Sequence, residues 1–105
     1  MIVYVDVDET ICCYEGERDY PSAKPIEKHI GMINKLYDLG HHIVYWTARG
    51  ANSGIDWTEL TKEQLVSWGA KHHGVLLGKP HYDLYIDDKS INCESFFHSI
   101  GKILE

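Results

Sequence analysis

The chain has 105 residues, of which 44% are apolar, and its formal net charge is −6 at pH 7. This length predicts a single domain over residues 1–105, and the acidic balance argues against a general binder of the nucleic-acid backbone, which needs a basic face. An odd set of cysteines (Cys12, Cys13 and Cys93) and a start that already carries an acid at Asp6 predict a reduced, cytoplasmic protein.

The first part of the chain predicts a strand, a loop and a helix. The run Ile2-Val3-Tyr4-Val5 is typical of a strand that is buried on both faces. Residues 9–25 hold glycine, prolines and charges, which indicate a loop with a hairpin near Glu15-Gly16. Pro25 is expected to open a helix that Gly40 closes. The apolar face of this helix recurs at steps of four, three and four, at Ile26, Ile30, Ile33 and Tyr37.

The rest of the chain continues this alternation. Ile43-Val44-Tyr45-Trp46 predicts a second buried strand, and the small polar residues 48–54 predict a loop after it. Asp56 and Glu59 resemble a capping box for a helix that ends at Gly69. The face of that helix is Trp57, Leu60, Gln64 or Leu65, and Trp68. The remaining elements are short strands at Val75-Leu76-Leu77 and Leu84-Tyr85-Ile86, and a helix from Ser90 or Asn92 that carries Phe96, Phe97, Ile100 and Leu104.

This order of elements predicts an α/β fold with a central parallel sheet and helices on both of its faces. In such sheets ligands bind at the carboxyl ends of the strands. The polar residues that end the predicted strands are therefore the candidate site. They are Asp6 and Asp8, Thr47, and Asp87 and Asp88, with Lys79 just before Pro80.

Up to four carboxylates are expected to converge at this edge. Asp6 and Asp8 share one side of their strand, because side chains repeat every two residues. Neighbouring anions repel one another unless a cation compensates them, and Mg²⁺ is the usual hard cation beside phosphate. A lone DxD pair is less specific, since metal-dependent glycosyltransferases and calcium loops also carry one.

Along its whole length the chain resembles the haloacid dehalogenase superfamily of aspartyl-phosphate phosphatases. DVDET at residues 6–10 is similar to the DxDxT motif of that family, and the apolar run ending in Thr47 to its second motif. Lys79 in GKP is similar to its third motif, and IDD at residues 86–88 to its fourth. The resemblance implies a three-layer α/β/α Rossmann-like sandwich without a cap domain. Glu9 stands where the family often has glycine, in a DxDET form similar to phosphatases of phosphoserine tails.

The resemblance also implies a role for each residue. Asp6 is the expected nucleophile, and Asp8 is the expected general acid/base, whose backbone carbonyl also binds the metal. Thr47 and the backbone N–H of Ala48 are expected to hold phosphate oxygens, and Lys79 to neutralise Asp6 and the phosphoryl group. The implied cofactor is Mg²⁺, and its implied ligands are Asp6, Asp8, Asp87 and Asp88.

Three further residues are candidates for contact with the substrate. Arg49 follows Thr47 so closely that its guanidinium is expected to bind phosphate or a substrate carboxylate, and the alternative is a surface salt bridge. Tyr14 and Tyr20 lie in the loop after Thr10, where the family has a mobile flap.

The predicted function is Mg²⁺-dependent hydrolysis of a small sugar or sugar-acid phosphate, because the TARG and DLYIDDK runs resemble phosphatases of capsule and surface-polysaccharide biosynthesis. One alternative is a phosphatase for a macromolecule, either a phosphoprotein or a polynucleotide 3′-phosphate. Another is a non-catalytic module that binds phosphate or metal. The expected partner is a small phosphomonoester rather than a membrane or a nucleic acid. A site without a cap admits large substrates or is covered by a neighbouring subunit, which is compatible with a homo-oligomer.

Overall fold

Eight short elements and two helical turns make up the computed structural model, which describes residues 1–100, the last of them by its backbone alone. In chain order they are β1 (Ile2–Val5), β2 (Cys12–Cys13), a 3-10 turn (Tyr20–Ser22), β3 (Lys24–Pro25), α1 (Glu27–Asp38), β4 (His42–Trp46), α2 (Thr58–Ser67), β5 (Gly74–Leu76), α3 (Cys93–Ser95) and a π-helical turn (Phe96–Ile100). The chain is thus an α/β fold with a parallel three-stranded sheet and three helices. None of the helices in this part of the chain is long and apolar enough to cross a bilayer.

The three-stranded sheet has the order β1–β4–β5, and all of its pairs are parallel. Val3 lies opposite Ile43, and Tyr45 lies opposite Val75. The helices α1 and α2 form the two crossovers, which move across the sheet in the same direction. Right-handed crossovers of this kind put both helices on one face of the sheet.

The hydrophobic core lies between that face and the two helices. Alternate strand residues point into it, and the predicted helical faces supply the other side. Its fully buried side chains include Ile43 and Tyr45 from β4, Ile33 from α1 and Leu65 from α2. Complete burial of one such aliphatic side chain contributes about 1.5–3 kcal/mol relative to exposure. The periodicity of the sequence therefore predicted the burial of Ile30, Ile33 and Leu65 correctly, whereas Ile26 and Tyr37 are only half-buried.

The opposite face of the sheet is largely bare within residues 1–100. Ile2 is 71% exposed, Tyr4 is 55% exposed and Leu76 is 46% exposed. Within residues 1–100 the crossover helices α1 and α2 thus cover one face of the sheet, and helices on both faces stay a prediction. An apolar run shows that a strand has two apolar faces, but it does not show what packs against each of them.

One predicted boundary and one predicted strand also differ from the structure. Pro25 does not open α1; it pairs with Cys12 in a two-stranded antiparallel ribbon, whose edge tolerates a residue without an N–H. Leu84-Tyr85-Ile86 is not a strand, since no helix or strand lies between β5 and α3. The last helix begins as expected, because the Asn92 side chain accepts a hydrogen bond from the Glu94 N–H at 2.9 Å. Leu104 lies outside the described residues.

Candidate active site

A cleft of about 540 Å³ opens at the carboxyl ends of the parallel strands. Four loops contribute its walls, within residues 6–8, 18–20, 48–57 and 79–82. Six residues that the sequence singled out line this cleft: Asp6, Asp8, Tyr20, Ala48, Arg49 and Lys79. Loops that are distant in the chain meet here because the strands before them are neighbours in one sheet.

Asp6 is a half-buried carboxylate of the cleft. Lys79 lies beside it, with 3.4 Å between Nζ and Oδ1, and the Thr10 hydroxyl donates to Oδ2 at 3.5 Å. The ammonium group of Lys79 also lies over the rings of Trp46 and Tyr82, at 5.7 and 5.5 Å from their centroids. A partly exposed ion pair adds little stability. The Asp6–Lys79 pair instead holds a carboxylate and a cation together at the edge of the sheet.

The loop after β1 puts Glu9 in a backbone conformation that favours glycine. Glu9 has φ = 61°, and it is the one residue other than glycine with positive φ in the described part of the chain. Its N–H donates to the Cys12 carbonyl at 3.0 Å, while the Ile11 N–H donates to the Val7 carbonyl at 2.9 Å. Left-handed backbone costs an L-residue roughly 1–2 kcal/mol. The hydrogen bonds of this tight turn, and the full burial of Val7, hold the loop in that conformation.

Asp8 is buried and ion-paired. Arg49 grips its carboxylate with two nitrogens, at 3.1 Å from Nε to Oδ2 and 2.9 Å from Nη2 to Oδ1. The Tyr14 hydroxyl donates to Oδ1 at 2.5 Å, and the Cys12 thiol donates to it at 3.5 Å. Burial raises the pKa of Asp8, but the hydrogen bonds from Arg49 and Tyr14 outweigh burial and hold the pKa below its ordinary value. Asp8 is therefore ionised in this arrangement.

Arg49 has no exposed side-chain surface. Its Nη1 donates to Thr61 Oγ1 at 3.2 Å and to Gln64 Oε1 at 2.6 Å, both on α2. The Tyr20 ring lies 4.8 Å from the guanidinium carbon. The surface salt bridge considered for Arg49 is therefore wrong, because its ion pair with Asp8 is buried beneath the cleft.

Thr47 is buried next to the residues that line the cleft. It is 1% exposed, and its hydroxyl oxygen accepts a hydrogen bond from the Arg49 N–H at 3.2 Å. Its backbone N–H donates to the Leu76 carbonyl, and its carbonyl accepts from the Lys79 N–H at 3.2 Å. Thr47 does not line the cleft itself, whereas the next residue, Ala48, does.

Asp87 and Asp88 are exposed and lie outside the cleft. Asp87 Oδ2 accepts a hydrogen bond from the Lys89 N–H at 3.1 Å, which closes a local turn. Because residues 84–86 do not form a strand, nothing carries these two carboxylates to the sheet edge. Residues 1–100 contain no group of three or more His, Cys, Asp or Glu side chains arranged to hold a metal ion.

The sequence did not identify the residues that fix Arg49. Thr61 and Gln64 are buried, although both are polar and lie on the face of α2 that contacts the core. Their spacing of three residues places them together on that face. A polar pair on an otherwise apolar helical face is a signal that a polar partner faces it from another element.

Comparisons with known proteins give the fold of the whole chain. No protein-family model matches it, and no curated protein matches it significantly. Its structure is similar to the crystal structure of a structural-genomics target from Vibrio cholerae, with a TM-score of 0.78 and 26% sequence identity. That similarity covers 100% of both chains, and it supports the α/β fold described above.

Proposed function

We propose that the protein is a Mg²⁺-dependent phosphomonoester hydrolase of the haloacid dehalogenase type, with Asp6 as nucleophile and Asp8 as general acid/base. The observation that carries the proposal is the Asp6–Lys79 pair, at 3.4 Å, in a cleft at the carboxyl edge of a parallel sheet. Ala48 and Gly50, from the loop after β4, form another wall of the same cleft. A carboxylate, a cation and a loop that offers backbone N–H groups are what transfer of a phosphoryl group requires.

In the first step an Asp6 oxygen attacks phosphorus, a bond forms between them, and the ester P–O bond to the alcohol breaks. Asp8 gives its proton to the leaving oxygen. In the second step water attacks the aspartyl-phosphate, Asp8 takes a proton from that water, and Asp6 is released with inorganic phosphate. Lys79 offsets the negative charge of Asp6 and of the phosphoryl group in both steps.

The ionised form of Asp8 suits the second step, in which it acts as a base. The first step needs a proton on Asp8. Since Arg49 and Tyr14 both stabilise the carboxylate, that proton must arrive as the Asp8–Arg49 contact loosens. This contact also favours a second candidate, a non-catalytic module that binds phosphate beside Lys79 while Asp8 serves only to neutralise Arg49.

As they stand, the described residues do not fit a magnesium shell. Asp6 offers one carboxylate, and that of Asp8 is bound to Arg49 and Tyr14. The Mg²⁺ part of the proposal therefore depends on Asp87 or Asp88 reaching the cleft.

The proposal includes the three-layer sandwich of this superfamily. It requires residues 84–86, which are not a strand in the structure described above, to rearrange into a further parallel strand beside β1. Within residues 1–100, β1 pairs with β4 alone, so its other edge is open. Leu84 and Ile86 are 76% and 86% exposed, which is costly for apolar side chains. Strands of parallel sheets are normally covered on both faces, and an exposed strand edge is normally paired, covered or blocked. Such a strand would carry Asp87 to the sheet edge where Asp6 lies.

A small sugar or sugar-acid phosphate is the proposed substrate. The cleft volume suits a small molecule, and Tyr20, Trp57 and Tyr82 give its walls apolar faces beside the charged groups. The net charge of −6 counts against a nucleic-acid substrate.

The test is release of phosphate from a broad panel of sugar phosphates by the purified protein with Mg²⁺. We expect turnover that Asp6→Asn lowers by a factor on the order of 10³ or more, because the nucleophile is lost. The control is Asp38→Asn, the same change on the exposed side of α1, which should leave the rate unchanged. Phosphate binding without release from any member of the panel would favour the non-catalytic module, and no binding or release would reject both.

A further inference from the structure

A buried polar network joins three separate parts of the chain beneath the cleft. At its centre the Arg49 guanidinium contacts Asp8 on one side and Thr61 and Gln64 of α2 on the other. We call Asp8, Tyr14, Arg49, Thr61 and Gln64 the Arg49 network. Arg49 lies in the loop after β4, where it is hydrogen-bonded to α2 and also grips the loop that carries the proposed acid/base.

The same network holds a third part of the chain, residues 14–22, called the flap here. At one end of the flap, the Tyr14 hydroxyl accepts a hydrogen bond from Arg49 Nη2 at 3.3 Å and donates one to Asp8. Near its other end, Gln64 Nε2 donates to the Tyr20 carbonyl at 2.7 Å. The Tyr20 ring packs edge-on against Trp57 at 5.1 Å. Between these two points residues 15–19 are exposed.

The flap forms one wall of the cleft, through Arg18, Asp19 and Tyr20. The middle of the flap forms ion pairs only at the surface, Glu15 with Lys24 and Arg18 with Glu9, and such pairs add little stability. Its position therefore depends mainly on the two ends that the network holds. The guanidinium that orients Asp8 also contacts both of these ends. The orientation of the acid/base and the shape of the substrate wall are therefore coupled through one side chain.

We infer that Arg49 and Gln64 are positioning residues that tether the flap to α2 and to the Asp8 loop. The effect on turnover rests on the proposed function, whereas the tether itself does not. Gln64 has two separable roles, because Oε1 accepts from Arg49 while Nε2 donates to Tyr20. Gln64→Glu keeps the acceptor for Arg49 and removes the donor to Tyr20, and Gln64→Leu removes both.

Limited trypsin digestion reports the tether directly, because Arg18 lies in the middle of the flap. We expect Gln64→Glu and Gln64→Leu to raise the rate of cleavage after Arg18 about ten-fold, as for the loss of one buried hydrogen bond. The control matched to Gln64→Leu is Glu63→Leu, which places leucine at the preceding position of α2, where the side chain is exposed. Cleavage of this variant after Arg18 should proceed at the wild-type rate. Mass spectrometry of the fragments assigns each cut, and thermal melting checks that each variant is folded.

Unchanged cleavage after Arg18 in both folded Gln64 variants overturns the tether. Cleavage that rises equally after Lys35 and Lys62, on α1 and α2, also overturns it, because it indicates general loosening instead of release of the flap. In the phosphatase assay, Gln64→Glu should raise KM more than it lowers kcat, while Arg49→Lys, which loses the two-pronged grip on Asp8, should mainly lower kcat. A wild-type protein without phosphatase activity would reject the proposed function and leave the digestion result standing.

Discussion

Two opposite charges are buried together in this small domain, at Asp8 and Arg49. Removing either charge from water costs several kcal/mol, and the pair is tolerated because every side of it meets a hydrogen-bonding group. Asp8 is also bonded to Tyr14, and Arg49 to Thr61 and Gln64. Removing one partner lowers the free energy of unfolding by more than the intact pair contributes to it, because the remaining charge stays buried and unpaired.

The pair gives a prediction for stability. Asp8→Asn should lower the free energy of unfolding by about 3–5 kcal/mol, because it leaves Arg49 as an uncompensated buried cation. Arg49→Met should cost a similar amount, because it leaves the Asp8 carboxylate buried. The double variant should cost clearly less than the sum, since neither charge remains. Urea unfolding of the four proteins measures the cycle, and additive losses would show that the two residues do not act as a pair.

For single residues, the sequence predicts where a side chain lies in the fold better than it predicts which other side chains it contacts. Asp6, Asp8 and Lys79 lie where strands end, so their meeting at one edge follows from the topology of a parallel sheet. The partner of Arg49 could not be predicted in the same way. Its contacts with Asp8 and Gln64 span 41 and 15 residues, and both of the roles considered for it assumed contact with substrate or solvent.

Among the elements, the loop after β4 is the one most constrained by sterics. Gly50 has φ = +83°, and a Cβ atom there would lie 2.2 Å from the Ile55 carbonyl oxygen. Gly54 has a similar φ of +75°, but nothing lies within 4 Å of the corresponding Cβ position. Replacing either glycine with alanine therefore introduces similar backbone strain. Only at Gly50 would the added Cβ atom also clash with a neighbour.

This contrast gives a matched pair of variants. Gly54→Ala should lower the free energy of unfolding by about 1 kcal/mol, from the left-handed backbone alone. Gly50→Ala should cost roughly 1–3 kcal/mol more, because the loop must also shift away from Ile55. That shift moves the wall of the cleft, so kcat/KM should fall for Gly50→Ala and hold for Gly54→Ala. Equal losses in the two variants would contradict the clash at Gly50.

The structure confirms the predicted helices and strands whose sequence pattern is local and long enough to show a period or an apolar run. The 3.6-residue period gave α1 and α2, and apolar runs gave β1, β4 and β5 to within a residue or two. The two-residue strands β2 and β3 are too short to show a period. Residues 84–86 have the same apolar character as β1, but a strand also needs a partner for its backbone, and no local pattern specifies one.

The molecule as a whole leaves two features of its sheet incomplete within residues 1–100. One face exposes Ile2 and Tyr4, and the outer edge of β1 is unpaired. An exposed, unpaired strand edge is normally covered or blocked, because it offers free N–H and C=O groups to other chains. The proposed strand at residues 84–86 would pair this edge, and it would supply the carboxylates that the Mg²⁺ proposal needs.

Proline substitutions test that strand at the scale of the whole sheet. Successive N–H groups of a strand point to opposite sides, so one of Tyr85→Pro and Ile86→Pro must remove a hydrogen bond to β1 if the strand forms. We expect that variant to lower the free energy of unfolding by about 3 kcal/mol, and to abolish the rise in Tm that Mg²⁺ gives the wild-type protein. Asp83→Pro, in the exposed segment just before the strand, should stay within about 0.5 kcal/mol of wild type. If all three prolines are tolerated equally, residues 84–86 are an exposed loop, and Asp87 and Asp88 then have no route to Asp6 through the sheet.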